Sequence, residues 1–291
     1  MEYSNPEIPE GINTSKTNPL KELVILTVGV IGAIFAIVSL LIFVVDNFAD
    51  QIPFEVEQNL PMSSFTEMQG VEPLPPYLAK ISQKVINSFN LPEQMHITVH
   101  YVNDDVVNAF ATLGGHIVLY RGLLEKLKYE DELSMIIAHE VSHIKHRHPI
   151  LNASHGAVIG LALSFLGASS GNSVVNDLLG TTSMVTLMKY SRENEHLADK
   201  DAIDSLVKIY GSAEGAIGLF DVLNSEYSDR GEVEFFNTHP LNKNRTAEAR
   251  EAINHSRIIN SVVRAPIPSE FSRWLKANKI EAKETKKVRI D

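Results

Sequence analysis

The longest uninterrupted apolar run in the chain is Leu23 to Val45, 23 residues without a charge. At helical rise this exceeds a hydrocarbon core roughly 30 Å thick, so it predicts one membrane-crossing helix. A cleaved signal peptide is the competing reading. The 22-residue leader, the length of the run and the lone small residue Ala49 at its exit favour a retained anchor. Residues 46–75 lose all periodicity and hold Pro53, Pro61, Pro73 and Pro75, the pattern of a linker. Regular alternation starts at Pro76: in PYLAKISQKVINSFN, residues 76–90, Leu78, Ile81, Val85 and Phe89 recur at helical spacing. HITVHYV, residues 96–102, alternates like a half-buried strand. NAFATLGGHIVLYRGLL, residues 108–124, predicts a strand, a turn or bulge at Gly114-Gly115, and a second strand over His116 to Tyr120.

Further along, Leu133, Ile136, Ile137, Val141 and Ile144 form the apolar stripe of a helix from about Glu130 to His148. Acidic residues open that helix and basic ones close it, as the macrodipole prefers, with Pro149 as its expected stop. GAVIGLALSFLGA, residues 156–168, is apolar but too short to span, which predicts a buried or membrane-grazing helix. A helix follows from Thr182 to about Tyr210, with Gly211 as its C-cap. The lysine-rich end of the chain reads as solvated. The pattern therefore predicts an α+β protein, a mostly helical domain with a small sheet, preceded by one transmembrane helix. Its organisation reads as an N-terminal tail (1–22), the anchor (23–45), a linker (46–75), the domain (76–258) and a C-terminal tail (259–291).

Charge changes the picture in two places. A net charge of -10 with no basic stripe argues against nucleic acid as a partner. Lys16 and Lys21 precede the anchor, and the next basic residue is Lys80, so the N-terminus should be cytoplasmic and everything after Asp46 extracytoplasmic. With no cysteine, thiolate metal sites and cysteine nucleophiles are excluded, and any metal must be held by histidine and carboxylate.

Such a set exists. AHEVSH, residues 138–143, lies in the middle of the Glu130 helix. There His139 and His143 share one face, about one turn or roughly 6 Å apart, and can grip one ion. Glu140 is rotated about 100° from His139, beside the ion and suited to act as a base for the attacking water. Zinc fits nitrogen and oxygen ligands in tetrahedral geometry, three from the protein and the fourth position open, and would support hydrolysis. His146 and Pro149 stand where a metzincin needs glycine and histidine, so that class fails. SRENEHLAD, residues 191–199, offers Glu195 as third ligand, with Asp199 one turn on to orient a ligand histidine.

HEVSH, then SRENEHLAD, then NTHP resembles the zinc metallopeptidases of the HtpX and CAAX prenyl protease family, in particular its single-anchor periplasmic or mitochondrial branches. NAFATLGG is similar to that family's strand motif, except that Leu113 replaces a more usual proline. The likeness covers about Pro76 to Arg250. It implies a zincin-like domain with Zn2+ on His139, His143 and Glu195, Glu140 as base and proton shuttle, and Asp199 orienting a ligand. His239, with Arg245 six residues on, matches the family's HP motif. A histidine there can donate a hydrogen bond to a developing oxyanion or shield the open metal position. Asn108, Ala109, Phe110 and Ala111 are candidates for the sheet edge onto which a substrate strand is added.

The expected function is thus a zinc endopeptidase in the inner (cytoplasmic) membrane, cutting unfolded or damaged polypeptides in envelope quality control. The alternatives are a chaperone or scaffold with a closed structural or latent zinc site, and a zinc hydrolase for another bond. His146 and His148 read as helix-end compensation, and His196 points about 100° away from Glu195. His96, His100, His116, His155 and His255 have no partner at metal spacing.

Overall fold

In the computed structural model, the apolar run lies within α1 (Pro19–Phe48), a helix long and apolar enough to cross a membrane. The structure describes residues 18–48, 51–59, 70–166, 190–230, 235–239, 245, 247, 250–251 and 263–277. The predicted start of a helix at Thr182 lies outside them. The next elements are α2 (Phe54–Gln58), β1 (Val71–Glu72), α3 (Pro76–Ile86), β2 (Thr98–Val102), β3 (Ala109–Thr112) and β4 (His116–Tyr120). A short helix α4 (Arg121–Leu124) leads to α5 (Glu130–Lys145), α6 (His148–Leu166), α7 (Arg192–Tyr210), α8 (Glu214–Arg230) and α9 (Phe235–Thr238). The result is the expected mostly helical α+β architecture.

The sheet is mixed, in the order β1-β2-β4-β3, with β2 and β4 parallel and the outer pairs antiparallel. The turn between β3 and β4 takes Gly114 and Gly115 to φ of 75° and 84°, a region that suits glycine. α5 is buried along nearly its whole length between the sheet, α3, α7 and α8. It starts where the Glu132 carboxylate folds back onto the Lys128 and Tyr129 N–H groups, at 2.8 and 3.2 Å. Leu133, Ile136, Ile137, Val141 and Ile144, the predicted stripe, are all in the core.

Three local expectations change. Pro149 does not stop the α5 helix. Arg147, at φ 59°, breaks it, and Pro149 becomes the second residue of α6, where a missing N–H costs nothing. Within the expected linker, Phe54 and Glu57 of α2 are buried. Glu57 receives the Arg147 Nε–H at 2.6 Å and the Gly114 N–H at 3.3 Å, while Arg147 Nη2 donates to the Ile52 carbonyl at 2.9 Å. Burial pushes the Glu57 carboxyl up, against the opposing pull of Arg147.

Within the expected C-terminal tail, residues 263–277 are strapped to the domain. Arg264 forms a two-pronged pair with Asp131 at 2.7 Å, Pro266 bridges Tyr129, and a helix α10 over 269–277 sets Phe271 and Leu275 into the core. This stretch lies almost wholly before the lysine-rich end and carries one apolar face, Phe271, Trp274 and Leu275 at helical spacing. Phe271 is 5% exposed and lies 5.0 Å, centroid to centroid, from Tyr77. Phe271→Ala should therefore cost about 3–5 kcal/mol of unfolding free energy in urea titrations. A loss under about 1 kcal/mol would mean the strap is not part of the core.

Candidate metal centre

α5 and α7 lie side by side, with small Ala138, Ala198 and Ala202 fully buried between them. α7 begins at Ser191, whose hydroxyl accepts the Asn194 N–H at 3.1 Å, and ends with Gly211 in the left-handed region. This fixes Glu195 and Asp199 on the face turned toward α5. His139 Nε2 and His143 Nε2 come within 3.1 Å of each other, and Glu195 oxygens lie 3.6 and 3.4 Å from the two nitrogens. His239, just past α9, adds its Nδ1 at 3.2 Å from His139 Nε2 and 2.9 Å from Glu195 Oε1. One ligand atom from each of these four residues lies within 4.8 Å of the others, and all four are buried.

The surroundings show why these atoms suit a cation. Asp199 Oδ1 lies 3.0 Å from His139 Nδ1, so a proton carried on Nδ1 faces the carboxylate and leaves a lone pair on Nε2. Behind the second ring, His143 Nδ1 lies 2.9 Å from His148 Nδ1. A donor there on His143 again leaves Nε2 bare. Two lone pairs and a carboxylate then face one another in a dry interior, an arrangement that only a shared cation makes favourable. The donor set of nitrogen and oxygen fits zinc.

Charge states follow from position. Burial would raise Glu195, but His239 and hydrogen bonds from His143 and His239 hold it well below the usual carboxylate range. Burial depresses His143 well below the ordinary imidazole value and takes His148 down to about 4. For His139 the burial effect is outweighed by Asp199 and Glu195, and its value is raised. Burial raises Glu140, whose two carboxylate oxygens have no close hydrogen-bond partner although the Ala111 N–H points at them. His239 Nε2 is 3.5 Å from Glu140 Oε1.

Arg245 ties the site together. Its Nε–H and Nη2–H donate to Asp199 at 2.7 Å each, and Nη1 lies 2.8 Å from Glu195 Oε2. One guanidinium thus steadies both a candidate ligand and the group that orients another. Burial would raise Asp199, yet Arg245 and His139 hold it low. With the folded value depressed below about 3.9, this carboxylate contributes stability at higher pH and loses it as pH falls through the folded value. Arg245→Met leaves two buried carboxylates uncompensated and should cost about 3–5 kcal/mol, read from chemical denaturation at neutral pH. Because the variant's carboxylates are easier to protonate, its deficit should shrink on acidification. A deficit that grows toward low pH would contradict the assignment.

Of the predicted positions, His139, Glu140, His143, Glu195, Asp199, His239 and Arg245 are brought together. Asn108 to Ala111 run along β3, the edge of the sheet. Asn108 accepts the Tyr120 N–H at 3.2 Å, so by alternation Ala109 and Ala111 turn their backbone groups to the open side. That side is occupied: the Tyr190 hydroxyl donates to the Ala111 carbonyl at 3.3 Å, and Phe235 N–H donates to the Val107 carbonyl at 3.3 Å. The Phe110 side chain points to the far face with Val102 and Val118.

Two neighbours escaped the sequence reading. Tyr190 stacks on His143 with centroids 3.8 Å apart, and burial holds its hydroxyl well above 10. His148 backs the same ring. The five-residue interval from His143 to His148 was the available signal, and a helix-end role accounted for it equally well.

Comparison with known proteins agrees with this geometry. The profile described as peptidase family M48 matches residues 74–253. The β-barrel assembly-enhancing protease of Escherichia coli K12 is 28% identical over 169 residues, covering 54% of this chain and 34% of that protein. Metalloprotease YcaL of the same organism is 28% identical over 179 residues, 60% of this chain and 68% of YcaL. Mitochondrial metalloendopeptidase OMA1 of Schizosaccharomyces pombe is 24% identical over 188 residues, 62% and 54% of the two chains. The chain spans 38% and 34% of the lengths of the Vibrio cholerae and Escherichia coli assembly-enhancing proteases it matches.

Proposed function

Since this chain belongs to peptidase family M48, we propose that it is a membrane-anchored zinc endopeptidase, with His139, His143 and Glu195 as ligands and Glu140 as the base. The observation that carries this reading is the convergence of those ligand atoms beside a buried carboxylate that no structural partner claims. When bound, zinc lowers the pKa of a water to about 7 and polarises the scissile carbonyl. The chain's own residues do the rest. Glu140, raised by burial, takes a proton from the attacking water and returns it to the leaving amine. Asp199 and Arg245 keep the His139 ring in one tautomer and orientation. β3 receives an extended segment as an added strand through Ala109 and Ala111, which requires Tyr190 and α9 to give way.

The position of His239 adds latency to this reading. Its Nδ1, 3.2 Å from His139 Nε2, would be a further protein ligand to a zinc held there, in place of an attacking water, and α9 covers the edge strand beside it. The closed set is the arrangement a structural zinc site would have. Glu140 separates the two readings, because a structural site gains nothing from a buried, unpartnered carboxylate.

Several finer points support the assignment. α1 serves as a single membrane span with the N-terminus cytoplasmic, in accord with Lys16 and Lys21 before it and no base until Lys80 after it. The domain then faces the extracytoplasmic side of the inner membrane and cuts unfolded or damaged envelope proteins. The names of the assembly-enhancing protease and OMA1 relatives fit such a role. The test is cleavage of casein by the full chain in detergent or lipid discs. Activity should vanish on chelation and return with zinc; casein cut equally fast with chelator present would refute the proposal.

A further inference from the structure

We propose that α6 is seated in the same membrane as α1, entering it from the domain side and reaching about half its depth, so that the metal centre lies at the bilayer surface. The proposal rests on reading α1 as a membrane span. Four observations carry it. First, α6 is the element packed along α1. Second, α1 is otherwise exposed, but Ile34, Val38, Ile42 and Val45 are partly buried. They are spaced by 4, 4 and 3 residues, one helical face running about 16 Å down from the outer end. Third, His155 of α6 meets Asp46 of α1 at 2.7 Å, at the point where the apolar run ends. Fourth, residues 156–166 of α6, beyond His155, carry no charge.

With α6 antiparallel to α1, the covered face runs from Asp46 to the level of Ile34, about half of a core roughly 30 Å thick. Gly156 and Gly160 are four residues apart, the spacing that lets apolar helices approach closely in lipid. The polar pair between the two helices sits at the rim: His155 and Asp46 are 32% and 51% exposed at their side chains, as befits the headgroup level.

The consequence for the site follows from α6's first residue. His148 opens α6 and touches the back of His143, and His155 lies seven residues on, about 10 Å along the axis. Arg147, immediately before α6, clamps Glu57 and the Ile52 carbonyl just after the anchor. The domain is thus held against the membrane and does not swing on a tether. Granted the peptidase activity, the bonds it reaches first are those of chain segments lying within on the order of 10 Å of the headgroups.

The absence of cysteine makes spin labelling clean. Labels at Ala157→Cys and Ser164→Cys in α6, Ile37→Cys on the uncovered face of α1, and Ser225→Cys on α8 would be placed in the full chain in lipid discs. Collision rates with oxygen and with a water-soluble nickel chelate separate lipid, protein interior and water. Ser225→Cys should be open to nickel. Ile37→Cys and Ser164→Cys should both be open to oxygen and closed to nickel, with Ala157→Cys shallower than Ser164→Cys. If Ile37→Cys behaves so while Ser164→Cys is open to nickel, or closed to both probes, the seating of α6 is wrong and the span stands. Nickel access at Ile37→Cys removes both. None of these readings depends on proteolysis.

Discussion

Glu140→Gln lowers the kcat for casein about 10²–10⁴-fold, the range carried by a positioned acid–base group. The change is nearly isosteric and removes only the ability to accept and return a proton. Glu140 is 0% exposed in the middle of α5 and touches the site without being needed to build the ligand cluster. Zinc content should therefore stay at one per chain, and stability should stay the same or rise, because a buried carboxylate without a hydrogen-bond partner costs free energy. The measurement is steady-state proteolysis, metal analysis and thermal unfolding on the same preparation. Retained activity with retained zinc would remove Glu140 from the chemistry; lost zinc would make it a ligand.

His239→Ala has the opposite sign and raises kcat/KM. With its Nδ1 3.2 Å from His139 Nε2 and 2.9 Å from Glu195 Oε1, the ring would supply a fourth protein ligand to a zinc held by His139, His143 and Glu195. Substrate must displace it, so apparent activity is scaled down by the fraction of molecules in which it has left. If that fraction is about a tenth, removing the ring yields about a tenfold gain, or about 1.4 kcal/mol. The ring is fully buried and stacked on Phe235 with centroids 4.5 Å apart, so some stability is lost along with it. His239→Gln keeps more of the volume and should show a gain in the same direction. Cobalt substitution reports the coordination directly, its absorption shifting as nitrogen is replaced by water. A fall of 10² or more in both variants, with folding intact, would return His239 to the role of oxyanion donor.

How much of this was legible in sequence depends on the range of each interaction. HEVSH and the Glu195/Asp199 pair were readable because four residues on a helix define a shared face whatever surrounds it. The long apolar helix α1, the alternation of β2 and the Gly114-Gly115 turn were readable for the same reason. The break at Arg147 was not: it needs a positive φ from a residue that rarely adopts one, and Glu57 and Ile52 hold that residue from 90 and 95 positions away. The C-terminal strap was missed because its only local signal was the Phe271/Trp274/Leu275 spacing, and its anchor Asp131 lies 133 positions away.

The amino-acid sequence by itself determined the chemistry available: two imidazoles and a carboxylate at helical intervals, a second carboxylate pair, no thiols, and one span of lipid length. Each of these is a local regularity, set by backbone geometry over one or two turns. Only the tertiary structure decided that His239 joins the site 100 residues from His139, that one guanidinium serves Asp199 and Glu195 together, and that Tyr190 bonds to the open edge of β3. Those outcomes depend on where α5, α7, α9 and β3 come to rest against one another. That placement is selected by the summed burial of a shared core, to which every element contributes and which no short stretch of sequence encodes.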